Sequence, residues 1–125
     1  VAHWMGRRRH AVKDEAAAVR LAVREIQRLS AATGQEGTTL VIALHPDRTA
    51  FEGRSALATR LYEGLETVGV PALDLGERYR AAGWAFSDLM LDGLGHLSPR
   101  GHAVTADIIR GEIRKRLERS TPGSS

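Results

Sequence analysis

From residue 92 to residue 102 the chain reads Asp-Gly-Leu-Gly-His-Leu-Ser-Pro-Arg-Gly-His, and two of these residues are able to do chemistry together. Asp92 and His96 stand close in a loop that Gly93 and Gly95 allow to bend tightly. A carboxylate that holds an imidazole fixes its tautomer and stabilises the imidazolium, which makes the ring a general base. Such a base takes the proton from a hydroxyl attacking an acyl carbon and later returns it to the leaving group. By residue type alone, Asp-x-x-x-His also describes a surface ion pair. A metal centre built from Asp92, His96 and His102 has suitable ligand types, but the spacing matches no zinc motif and a Pro-initiated helix separates the histidines. The chain has no cysteine, which excludes disulfides and thiolate metal sites.

A helix must follow this pair at once. Ser98 suits the N-cap and Pro99 the first helical position. From Pro99 to about Arg119, Ala106, Ile109, Ile113 and Leu117 mark one apolar face, with Val104 and Ile108 adjoining it. His102 falls in the first turn, where with Gly101 it suits close packing. Earlier in the chain, Thr38-Thr-Leu-Val-Ile-Ala-Leu44 is a continuous apolar run rich in β-branched residues. A strand buried on both faces reads this way, as in parallel sheets covered by helices. The run stops at His45-Pro46-Asp47. In open α/β sheets the C-terminal end of a strand is the edge where ligands bind. His45, Asp47 and Arg48 are therefore candidate substrate-lining residues, with solvated loop charges as the plainer reading of Asp47 and Arg48. Trp84 and Phe86, in the irregular stretch Gly83–Leu97, suit either the lining of an acyl or sugar pocket or the anchoring of a long loop.

The remaining elements alternate. Val12, Ala16, Val19, Val23 and Ile26 predict a helix from about Ala11 to Ala32, ended by Thr33-Gly34. A second helix spans Arg54–Val68, with Leu57, Leu61, Leu65 and Val68 on its apolar face. Val70–Leu75 predicts a second strand and Gly76–Ala82 a short helix. Two strands joined through a helix should lie parallel. Residues 1–10, with Gly6 and Arg7-Arg8-Arg9, read as an arm, 11–119 as one α/β domain, and 120–125 as a flexible tail.

The Asp92–His102 stretch resembles the C-terminal block of the SGNH (GDSL-type) serine hydrolases, written D-x-x-H-L-(S/N/T)-P-x-G-H. The family places its Asp three residues before the His; here that position is Gly93 and Asp92 stands four before, with Asp88 a more distant choice of acid. The order helix, apolar strand with a Pro-containing loop, helix, Val-Pro-Ala-Leu-Asp-Leu strand, Asp–His block and closing helix is similar to the C-terminal part of such a domain. The resemblance implies a flavodoxin-like three-layer α/β/α sandwich with parallel strands. It also implies ester hydrolysis or acyl transfer through an acyl-serine, with His96 as base, Asp92 as its orienting acid and no metal or organic cofactor. The substrate would be a small-molecule, carbohydrate or lipid ester. The family's Gly-Asp-Ser nucleophile segment and its Gly-x-Asn-Asp oxyanion segment do not occur among these residues. The expectation is therefore the C-terminal part of a hydrolase domain truncated on its N-terminal side, with nucleophile and oxyanion hole upstream. Val1 in place of an initiating Met agrees with it.

The chain has 125 residues, enough for one small domain or part of one. Its formal charge of +3 and sequence pI near 9.9 raise a second reading, a non-catalytic basic module contacting nucleic acid or an anionic membrane. Against it, acids are interspersed with the basic residues and aromatics are few. No apolar run is long enough to span a membrane. An uncovered sheet edge would favour association with another chain.

Overall fold

The computed structural model describes residues 2–120, with side chains from residue 14 onward. Its elements run in the order α1 (Ala2–Gln35), β1 (Ile42–Leu44), α2 (Arg48–Phe51), α3 (Ala56–Thr67), β2 (Ala72–Asp74), α4 (Leu75–Ala81), α5 (Phe86–Leu89) and α6 (Pro99–Ser120). They divide into two compact units, Val1–Leu44 with Ser55–Leu73 and His45–Arg54 with Asp74–Ser125. The expected flexible tail lies outside the described residues beyond Ser120.

In the first unit α1 starts at Ala2 rather than near Ala11, so the backbone expected to be an arm is helical. Arg is a good helix former, and a single Gly weakens a helix by only about 1 kcal/mol. The helix also passes Thr33-Gly34 and closes where Thr38 N–H reaches the Thr33 carbonyl at 2.9 Å, with Gly37 left-handed at φ 78°. Val19, Val23 and Ile26 are half-buried, as their spacing predicts. The contact of α1 with α3 is close: a Cβ on Gly64 would meet Val23 Cγ2 at 2.8 Å. Ser55 caps α3 by accepting from Ala58 N–H, and Leu65 is fully buried. Leu57, expected on the apolar face, is exposed.

The two strands pair in parallel, with Ile42 N–H donating to the Pro71 carbonyl at 2.9 Å. The chain is thus a mixed α/β fold. Both strands are three residues long, shorter than the apolar runs that predict them. Burial of β1 on both faces does not occur among the described residues: Ile42 and Leu44 are half-buried and Ala43 is exposed. Apolar composition marks where a strand can form, whereas its length and cover depend on partners, and β1 has one strand beside it.

The second unit is built on Phe51, Leu75, Tyr79, Phe86, Leu89 and Met90, all buried. The Phe51 ring stacks on Tyr79 with centroids 5.8 Å apart and meets Phe86 edge-on at 5.5 Å, which joins α2, α4 and α5. Phe86 is therefore a core anchor rather than a pocket wall. Two short helices occupy stretches read as loop. Asp47 caps α2 by accepting from Ala50 N–H, and Asp88 caps α5 by accepting from Ala85 N–H, each at 2.8 Å. On α6 the apolar face is covered only in part: Val104, Ile108 and Ile109 are half-buried, Ile113 and Leu117 exposed. His102 is also exposed, so the packing role expected of it falls to Gly101 alone. Among the described residues no helix is long and apolar enough to cross a membrane.

Candidate active site

Asp92 and His96 lie in a loop that belongs wholly to the second unit. Its base is a short antiparallel bridge between Met90 and Leu97, in which Leu91 N–H donates to the His96 carbonyl at 2.7 Å. The C-terminal side is fixed by Ser98. Its N–H donates to the Leu89 carbonyl at 2.8 Å, its Oγ donates to the same carbonyl at 3.0 Å, and that Oγ accepts from Gly101 N–H at 3.0 Å. One hydroxyl thus caps α6 and ties it to the end of α5. Gly101 is buried against that carbonyl, where a Cβ would stand 2.1 Å from the oxygen. The Ser-Pro-Arg-Gly portion of the block ties α6 to the end of α5 just after His96.

Within the loop the Asp92 carboxylate uses its two oxygens separately. Oδ1 accepts backbone N–H bonds from Leu94 at 2.9 Å, Gly95 at 3.1 Å and His96 at 3.3 Å. Oδ2 lies 2.5 Å from His96 Nδ1. A carboxylate only accepts, so Nδ1 carries the proton and Nε2 of a neutral ring carries the lone pair. The side-chain hydrogen bond from His96 holds the Asp92 carboxyl below its ordinary range. Partial desolvation opposes it, while the His96 and Leu94 N–H groups and the His96 charge act in the same direction. The His96 side chain is 69% exposed and Asp92 41% exposed, so the pair adds little to stability but leaves Nε2 open to a reacting group.

The other candidate residues divide. His45 reaches this loop: its Nε2 donates to the Gly95 carbonyl at 2.6 Å. Gly95 is buried, left-handed at φ 97°, and packed so closely on the same segment that a Cβ would meet the Pro46 carbonyl oxygen at 3.1 Å. Asp47 and Arg48 do not meet His96. The Asp47 carboxylate is occupied in capping α2, and the Arg48 guanidinium lies 4.7 Å over the Phe86 ring. Trp84 is half-buried just past α4, with its backbone N–H donating to the Tyr79 carbonyl at 3.0 Å. Asp88, the other candidate acid, is occupied at α5. The backbone role of Asp92 Oδ1 and the hydrogen bond of His45 to Gly95 were not anticipated; the only signal for the latter is a His-Pro step at a strand end.

Among the described residues no group of three or more His, Asp or Glu side chains could hold a metal ion. Chemically the site offers a solvent-facing imidazole nitrogen whose opposite N–H is fixed by a carboxylate. No protein-family model, curated protein or solved structure matches this chain.

Proposed function

We propose that this chain is the C-terminal part of an SGNH (GDSL-type) serine hydrolase or acyltransferase domain and supplies its base. The observation that carries the reading is the Asp92 Oδ2–His96 Nδ1 hydrogen bond of 2.5 Å, with Nε2 left facing solvent. In this role Nε2 removes the proton of an attacking serine hydroxyl and donates it to the departing alkoxide of the ester. Water, or an acceptor hydroxyl, then repeats the sequence on the acyl-serine. Asp92 keeps the ring in the Nδ1–H tautomer and stabilises the imidazolium formed at each transfer. The nucleophile and oxyanion donors are assigned to residues outside this sequence. On the same reading β1 and β2 belong to the central sheet of a three-layer α/β/α sandwich. The basic-module reading draws on charge alone, and among the described residues Arg28, Arg54, Arg78, Arg110 and Arg116 each pair with a carboxylate.

The test is hydrolysis of p-nitrophenyl esters by the complete product of the gene that encodes this chain. An acyl-enzyme burst and a loss of about 10²–10⁴-fold in kcat on His96→Ala are expected, the range for removal of a general base. A product with no esterase or acyl-transfer activity, or with activity indifferent to His96, would sink the proposal.

A further inference from the structure

We infer that His45 is a positioning residue for the Asp92–His96 pair, acting through its hydrogen bond to the Gly95 carbonyl. The assignment rests on the proposed role of His96 as base. His45 is distant in sequence from the loop, yet its ring nitrogen lies 2.6 Å from a backbone oxygen one residue before His96. This bond links the loop to the His45–Asp47 segment, on which Gly95 also packs closely. The three N–H groups that Asp92 Oδ1 gathers, those of Leu94, Gly95 and His96, run through the same peptide units. A peptide plane is stiff, so holding the Gly95 carbonyl fixes the direction of the His96 N–H across the same amide. That N–H points at Oδ1, and the orientation of the carboxylate then sets where Oδ2 stands for Nδ1.

The loop has reason to need an outside hold. Asp92, Leu94 and His96 are exposed, and Gly95 alone among its central residues is buried. Glycine also gives the loop the widest conformational freedom, and both Gly93 and Gly95 fall between the acid and the base. With Nε2–H given to Gly95, a neutral His45 carries its lone pair on Nδ1. Protonation of His45 leaves the same donor in place, so the hold does not depend on the charge of the ring.

The experiment uses nuclear magnetic resonance of the purified chain in mildly alkaline buffer. Three observations are expected in the unmodified protein. His45 carries its proton on Nε2, His96 carries its proton on Nδ1, and a coupling across the hydrogen bond joins His45 Nε2 to the Gly95 carbonyl carbon. His45→Leu removes the donor at similar bulk. In this variant His96 should lose its single Nδ1–H form for a mixture, and the Asp92 carboxyl midpoint should rise toward the ordinary aspartate range as the His96 hydrogen bond that lowers it weakens. His45→Gln restores an N–H at similar reach and should retain both properties of the unmodified chain. A His45 proton on Nδ1 in the unmodified chain overturns the inference, as does a folded His45→Leu in which His96 and Asp92 are unchanged. Should His45→Leu not fold, the unmodified chain and His45→Gln decide: loss of the His96 Nδ1–H form in a folded His45→Gln overturns it. None of these readouts involves ester turnover, so they stand or fall separately from the hydrolase proposal.

Discussion

At the scale of single residues, the spacing of acid and base has a physical explanation in the two oxygens of Asp92. Relative to the SGNH pattern that the stretch resembles, the acid stands one residue further from the histidine. Oδ1 accommodates the extra residue by gathering the N–H groups of Leu94, Gly95 and His96, which folds the chain back until Oδ2 meets Nδ1. The sequence pointed to the pair but not to this arrangement, with Asp88 a more distant choice of acid and Asp47 read as lining a substrate site. Each of those accepts from an amide three residues away at a helix start, a role that Asp performs throughout proteins. Two substitutions separate the roles of Asp92. Asp92→Asn keeps an acceptor for the backbone amides at Oδ1 but then presents an N–H in place of an acceptor to Nδ1. It should leave the fold intact and, on the hydrolase proposal, cost the complete gene product about 10⁴-fold in kcat, as amide replacement does in a serine protease triad. Asp92→Ala removes both functions and should lower the thermal midpoint as well. Equal thermal midpoints for the Asn and Ala variants would show that Oδ1 does not hold the loop.

The same carboxylate sets a pH dependence. Its pKa is lowered in the folded state, chiefly by the His96 hydrogen bond. A depressed carboxyl contributes stability that is fully present above the unfolded value, about 3.9, and is lost as pH falls through the folded value. Urea midpoints of the unmodified chain and Asp92→Asn, followed downward from pH 5, should therefore differ most at the upper end and converge below the folded pKa. A difference that stays constant over this range would mean that ionisation of Asp92 is not involved.

At the scale of elements, α6 shows which parts of the sequence were readable. Ser98 and Pro99 announced its start, because capping chemistry is local and Ser98 Oγ does accept the Gly101 N–H. The extent of its buried face was not readable. Period alone cannot say how much neighbouring surface exists, and Ile113 and Leu117 remain exposed. Glycines on this one helix give a prediction of opposite signs. At Gly101 a Cβ would stand 2.1 Å from the Leu89 carbonyl oxygen and 2.9 Å from Leu97 Cδ2, so Gly101→Ala must move backbone. Overpacking of this kind costs about 1–3 kcal/mol or more, exceeding the helix propensity gained. At Gly111 nothing lies within 4 Å of the added atom, and Gly111→Ala should stabilise by up to about 1 kcal/mol. Chemical denaturation of the two variants is sufficient, and a neutral Gly101→Ala would refute the close approach. A second measure of this unit joins α4 to α6, where the fully buried Tyr79 hydroxyl lies 2.5 Å from Thr105 Oγ1. Burial pushes the phenol above its ordinary range, with the Thr105 hydroxyl acting in the other direction. A raised acid contributes stability that is present below the unfolded value, about 10, and is lost as pH rises through the folded one. Alkaline destabilisation should therefore begin near pH 10 in the unmodified chain and be diminished in Tyr79→Phe.

At the scale of the whole molecule, the α/β class and the parallel strand pair were legible because alternation of apolar runs and amphipathic stretches is a long, redundant signal. Strand length was not, since it is decided by the partner: each strand is three residues long although apolar residues extend beyond it. The catalytic reading has a similar boundary. Acyl transfer by a serine hydrolase needs a nucleophile, a base with its orienting acid, and donors for the oxyanion, and on the proposed reading these residues supply the base and acid alone. A missing oxyanion donor alone reduces the rate by about 10²–10³-fold, and an imidazole without an activated hydroxyl beside it is little more than dissolved imidazole. The purified chain should therefore hydrolyse p-nitrophenyl acetate no faster, per histidine, than free imidazole, and His96→Ala should lower the rate only by that residue's share. Turnover far above the imidazole rate that disappears in His96→Ala would place a working nucleophile within these residues. The division of the active site assigned above, with base and acid here and nucleophile elsewhere, would then be wrong even though the Asp92–His96 geometry stood.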